Sequence, residues 1–167
     1  IDDPDPVLFL EHKKMYRLIK GPLPQEDYRI PLGVARIARA GTDGTLISYG
    51  LPLHYCVAAA DALADEGIGS LEVIDLRTLQ PWDRATVLTS VSKTGRALVV
   101  TEDNHSVSVA AEVCATIAEE CFFDLDAPVR RLCTADIPSF PFASIMENAA
   151  LLTEDRVTET ARALLQA

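Results

Sequence analysis

No apolar run in this chain approaches the roughly 20 residues that a helix needs to cross a bilayer, and no signal-peptide pattern is read at its start. Basic residues are scarce: 15 Lys and Arg stand against 25 Asp and Glu, a formal net charge of −10. That balance excludes nucleic acid as a partner, because neutralising phosphates requires a basic face. It opposes anionic membrane surfaces for the same reason. It suits solubility, or docking onto a basic protein. Cysteines are few, and Cys56, Cys114, Cys121 and Cys133 make no C-x-x-C pair. They read as buried free thiols in a reducing cytoplasm rather than as a zinc site, with Cys114 and Cys121 sharing one helix face. Dinucleotide, phosphate-loop, nucleophile-elbow and H-E-x-x-H motifs are all missing, which excludes only the enzymes that depend on them.

What is present is aliphatic. Hydrophobic residues make up 49% of the 167, while aromatics contribute only 6%. A chain of this length buries about 70% of its unfolded surface, so it needs no disulfide or metal to hold it together. Short apolar runs alternate with helical patterns, which selects an α/β domain over a β-sandwich.

The pass along the chain begins with Val7 to Leu10, a strand-like run. After Glu11 to Arg17, Gly21, Pro22, Pro24 and Pro31 describe an extended linker. The reading is residues 1–32 as the end of a missing domain plus linker, and 33–167 as the compact domain. Val34 to Ala40 and Thr45 to Tyr49 read as strands around the turn Gly41-Thr42-Asp43-Gly44, which suggests a hairpin and hence one antiparallel strand. A helix opens at Pro52 and runs to about Glu66, with Val57, Ala60, Leu63 and Ala64 on its apolar face and Gly67 and Gly69 ending it. Leu71 to Leu76 is a strand, and Asp83 caps a helix to about Ser92. Ala97 to Val100 is a buried strand, and Ser106 or Ser108 caps a helix ending near Cys121. Val129 to Cys133 is a fifth strand, a Pro/Phe-rich loop follows, and Asp155 to Leu165 is an amphipathic helix. The predicted fold is α/β: a mostly parallel five-stranded sheet with one antiparallel strand and helices on both faces.

Candidate chemistry is sparse. Thr101 to Ser106 follows a buried strand, where open α/β sheets place ligands. Within it Glu102 and His105 suit an acid/base pair, while Asp103 suits a loop or interface role. His12 and Tyr16 lie in the one basic cluster, beside Lys13, Lys14 and Arg17, as solvated linker or subunit contact. Phe140 and Phe142 flank a proline, and form a contact patch if exposed or a lid over the sheet end if not. Asp124 and Asp126 are acids on a polar connection that a basic partner could use.

Several segments in order along the chain carry a resemblance. They are Pro6 to Arg17, Ile30-Pro31-Leu32-Gly33, and Ile74-Asp75-Leu76-Arg77-Thr78-Leu79-Gln80-Pro81-Trp82-Asp83. Lys93-Thr94-Gly95-Arg96, Ala111-Glu112-Val113, Glu119-Glu120-Cys121-Phe122, Leu125 to Arg131 and the Asp136 to Ala143 loop follow. Jointly they resemble the C-terminal part of the β subunit of thiamine-diphosphate-dependent 2-oxo acid dehydrogenases, the E1 component. Pro81-Trp82-Asp83 and Glu119 to Phe122 look more like the branched-chain enzymes than the pyruvate or acetoin ones.

The resemblance implies a domain like the C-terminal domain of transketolase. It implies an E1 heterotetramer with an α subunit, a second β subunit, thiamine diphosphate and Mg, and acyl transfer to the lipoyl arm of an E2 acyltransferase. It assigns no catalytic, cofactor or metal residue to this stretch, so the piece alone is expected to be inactive. It implies instead subunit interface and E2 docking, with Asp126 facing a basic E2 module. Location follows as bacterial cytoplasm, or mitochondrial matrix in a eukaryote. One departure stands out: Thr101 replaces the family's His, and Ser106-Val107-Ser108-Val109 replaces a glycine-rich run. Three rivals stay open: a pyruvate or acetoin E1 β domain, a stand-alone ligand-binding or regulatory module of the same fold, and a hydrolase using Glu102 and His105.

Overall fold

A computed structural model describes residues 2–167. Ile1, with which the expected first segment opens, lies outside the described residues. In chain order the elements are α1 (Met15–Leu18), β1 (Arg36–Arg39), β2 (Gly44–Ser48), α2 (Leu51–Asp65) and β3 (Leu71–Asp75). Then come α3 (Arg84–Thr94), β4 (Ala97–Asn104), α4 (Val109–Glu120), a 3-10 turn (Phe122–Asp124), β5 (Arg130–Thr134), α5 (Ser144–Ala150) and α6 (Glu154–Leu165). The strands form one sheet in the order β1-β3-β2-β4-β5, with β1 antiparallel to β3 and the rest parallel.

Strand periodicity divides the core into two layers. Leu46, Val73, Leu98 and Val100 point to α2 and α6, and pack with Cys56, Ala60, Leu63, Val157 and Leu164. Their neighbours Ile47, Ile74 and Val99 point to α3 and α4, and pack with Val87, Val91, Val113 and Ile117. All these side chains are fully buried, and each Val, Leu and Ile among them contributes about 1.5–3 kcal/mol by leaving water. The expected mixed α/β sheet with helices on both faces is therefore the observed one.

The hairpin is not. β3 inserts between β1 and β2, so the antiparallel partner of β1 is β3. The turn is held by the start of β3: the Thr42 and Asp43 amides donate to the Ser70 carbonyl, and the Ser70 amide donates to the Asp43 carboxylate. Gly41 shows how close the two backbones pass, since a Cβ there would lie 2.2 Å from the Leu71 carbonyl carbon.

Other expectations shift with the packing. Val7 to Leu10 is not a strand, because it finds no neighbouring strand among the described residues. The linker after it contains the single turn α1. On α2 the buried stripe is Cys56, Ala59, Ala60 and Leu63, with Val57 and Ala64 half-buried at its margins. Strand β4 continues through Glu102 and Asp103 to Asn104, where a loop was expected. Part of the segment after β5 forms the short helix α5. Cys121 lies one residue past α4 with its thiol toward the Leu88 carbonyl, while the Cys114 thiol approaches the Arg130 carbonyl, so they serve different contacts. Burial pushes the Cys56 thiol up to about 12, despite a hydrogen bond from Ser48 that lowers it.

The stretch Ile74 to Asp83 has a mechanical role. Leu76 is buried and its amide donates to the Ser48 carbonyl. Thr78 Oγ1 accepts from the Gly33 amide at 3.1 Å, and Asp83 accepts from the Ala35 amide at 2.9 Å. Asp83 also caps α3 by accepting from the Thr86 amide at 3.0 Å, as its position predicted. Burial alone would raise its pKa, but the Thr86 and Ala35 bonds outweigh it and hold the carboxyl below the usual range. The segment thus clasps the chain that leads into β1.

Candidate functional site

The strand order reverses beside β2. From β2 the chain passes through α2 to β3 on one side, then α3 carries it to β4 on the other. The C-terminal ends of β2 and β4 flank that switch point, where sheets of this type place ligands. Tyr49, Glu102 and Asp103 lie there. Burial, then the charge of Asp103, pushes the Tyr49 phenol up to about 12, so it stays protonated and neutral at physiological pH.

Glu102 does not meet His105. It lies on β4, which ends at Asn104, one residue before His105. Its partner is His12, ninety residues earlier in the chain, with Nε2 at 2.6 Å from the Glu102 carboxylate. His105 sits instead beside Asp136. Hydrogen bonds from the Ser106 hydroxyl and amide, followed by the charge of His105, hold the Asp136 carboxyl below its usual range. The acid/base pair that a hydrolase would need is therefore not assembled. The next residue, Val107, takes φ +52 and is fully exposed, in the run that the resemblance predicts to be glycine-rich.

The same pole is apolar at its rim. Phe140 and Phe142 are exposed, as are Ile145 and Met146 on α5, so the Phe-Pro-Phe loop leaves apolar side chains in solvent instead of packing them over the sheet end. Tyr16 is exposed on α1 and donates to the Glu11 carboxylate, which raises the pKa of its phenol.

Asp124 and Asp126 lie at the opposite pole, in the connection that feeds β5. Asp126 is tied to the start of β4: its amide donates to the Gly95 carbonyl at 2.8 Å, and Arg96 approaches its carboxylate at 3.4 Å. Its side chain remains 64% exposed. Asp124 ends the 3-10 turn and is also exposed. Beside them runs an open cleft of about 640 Å³, lined by Cys114, Ala115, Ala118, Phe122, Leu125 and Val129 with Asp126 at its edge. An apolar floor with an acid at the rim suits a protein partner better than a small polar substrate.

A second polar cluster escaped the sequence reading. Glu72, on β3, is 3% exposed and accepts from Ser90 Oγ and Lys93 Nζ, each at 2.6 Å. Thr45 bonds both Ser90 and Thr94, at 2.7 and 2.8 Å. The available signal was one acid inside the run Leu71-Glu72-Val73-Ile74. Tyr49 and Asp136 were missed too, since neither stands out until the strand ends converge.

Thiamine diphosphate with a divalent metal requires clustered carboxylate or amide ligands and donors for the diphosphate. Among the described residues no group of three or more His, Cys, Asp or Glu could hold a metal ion. One cleft has an apolar floor, and the other opens beside the Glu72–Lys93 pair. These residues do not fit the cofactor, and no step of a decarboxylation is derived from them.

The profile of the family described as "Transketolase, C-terminal domain" matches residues 33–157. The chain is 47% identical over 166 residues to the 2-oxoisovalerate dehydrogenase subunit beta of Bacillus subtilis (strain 168), covering 99% of this chain and 50% of that one. It is 45% identical over 166 residues to the pyruvate dehydrogenase E1 component subunit beta of the same organism, with the same coverage. A solved split gene transketolase, an inactive β4 tetramer, superposes with a TM-score of 0.69 at 21% identity, over 83% of this chain and 44% of that one. The chain belongs to the transketolase C-terminal domain family. Within that family it is similar, over 99% of its own length, to the beta subunits of two 2-oxo acid dehydrogenases. It spans about half the length of the curated relatives it matches.

Proposed function

We propose that this domain is the subunit-interface and E2-docking part of a branched-chain 2-oxo acid dehydrogenase E1 β subunit. The observation that carries the docking role is Asp126, whose backbone is anchored to Gly95 while most of its carboxylate stays in solvent beside an apolar cleft. A fixed acid at the rim of an apolar floor is a complementary surface for a basic module of E2. The apolar surface at the other pole, with Phe142, Ile145 and Met146, is proposed to meet the α subunit and a second β subunit. Thiamine diphosphate and Mg belong, on this reading, to the assembled E1, and the domain alone decarboxylates nothing. Curated relatives include bacterial and mitochondrial proteins, which supports bacterial cytoplasm or mitochondrial matrix. Among the described residues no helix is long and apolar enough to cross a membrane.

The branched-chain preference is supported by Pro81-Trp82-Asp83, by Glu119 to Phe122 and by the 47% identity to the 2-oxoisovalerate subunit. A pyruvate-type E1 is the second reading, on the 45% identity to its β subunit. Calorimetric titration with the subunit-binding module of a branched-chain E2 tests the docking role. Asp126→Lys should weaken binding about tenfold or more, a loss of about 1.4 kcal/mol, and most at low salt. Unchanged affinity in that variant overturns the assignment of Asp126. Tighter binding of a pyruvate-type E2 module selects the second reading.

A further inference from the structure

We propose that residues 11–18 form a strap closed over the switch point of the sheet by one releasable latch, the His12–Glu102 bond. Among the described residues it is the single hydrogen bond joining residues 2–32 to the rest of the chain. The other bonds of the arm are internal: Arg29 to Asp2, Tyr16 to Glu11, the Asp5 amide to the Asp3 carboxylate, and the Met15 and Ile19 amides to the His12 and Met15 carbonyls. The imidazole occupies the notch between the turn into α2 and the end of β4. Gly50 forms one wall with φ +64, and a Cβ there would stand 3.8 Å from His12 Cδ2.

The latch is incomplete. His12 Nδ1 is buried without a partner, so closing the strap strips one ring nitrogen of water and returns nothing to it. That loss offsets part of the stabilisation from the bond to Glu102. Segments with few buried contacts and one exposed-side attachment open long before the core does. Release therefore uncovers Glu102 at the switch point and frees the exposed run Val7 to Leu10 in the same event. The position of the arm and the accessibility of this pole become one equilibrium, which any partner gripping the arm will shift.

Limited trypsin digestion of the folded chain reads this equilibrium, because Lys13 and Lys14 directly follow His12 and cleavage tracks the open population when closing is fast. His12→Ala and Glu102→Gln should each speed cleavage there about tenfold, the size of one charge-assisted hydrogen bond partly offset. The double variant should cleave no faster than the faster single one, because both remove the same bond. Melting temperature should stay near that of the parent for His12→Ala, whose side chain lies outside the core. If Glu102→Gln also unsettles the sheet, His12→Ala alone reads the latch. Cleavage within about twofold of the parent in His12→Ala, or effects that multiply in the double variant, overturns the proposal.

Discussion

Replacing Glu72 by Ala should be among the most damaging single polar changes in this domain. The carboxylate is 3% exposed and accepts hydrogen bonds from Ser90 and Lys93, each at 2.6 Å. Bonds to a charged group contribute about 1.5–3 kcal/mol each when both partners are buried. Lys93 is 48% exposed and returns to water when its partner is lost, so its share falls to at most about 1 kcal/mol. Ser90 keeps Thr45 as a partner, which limits the penalty on that side. The sum is about 3 kcal/mol, or roughly 6–12 °C in melting temperature for a chain of this size.

Glu72→Gln keeps the volume and an acceptor for Ser90, and should lose about half as much. Lys93→Met should lose less than either. Burial alone would raise the Glu72 pKa, but the bonds from Lys93 and Ser90, the charge of Lys93 and the Gly41 amide bring it below the ordinary value. Its contribution is therefore complete above about pH 4.3 and fades as the pH falls through that point and below. Thermal melts of parent and Glu72→Gln at pH 7 and at progressively lower pH should converge toward the acid end. A Glu72→Ala variant that melts within about 2 °C of the parent, or Lys93→Met matching its full loss, refutes this account.

Asp83→Ala removes both the cap of α3 and the acceptor for the Ala35 amide, and should cost about 2 kcal/mol. Asp83→Asn should recover part of that, as read by urea midpoints at constant slope. Val107→Gly should raise stability by about 0.5–1 kcal/mol, because a β-branched residue at φ +52 costs more than glycine's extra chain entropy. A lower midpoint for Val107→Gly would show that φ strain there is negligible.

Local features were readable because they depend on near neighbours. The apolar runs that became β2, β3 and the first half of β4, the cap at Asp83 and the stop at Gly67 all follow from periodicity and backbone preference. The cap at Ser108 was one of two choices, and only the turn through Ser106, which donates to Asp136, decided between them. The site fared worse. Glu102 and His105 are close in sequence but diverge once β4 runs through Asp103, and the true partner of Glu102 is ninety residues away.

By itself the order of residues determined an α/β domain with one buried mixed sheet and membership in the transketolase C-terminal domain family. Only the tertiary structure decided that β3, not β2, pairs with β1, that His12 closes the switch point, and that Asp126 is anchored beside an apolar cleft. Periodicity records which face of an element is buried. It carries no information on which distant element supplies the covering surface, because that choice is made by the summed packing and hydrogen bonding of the whole chain.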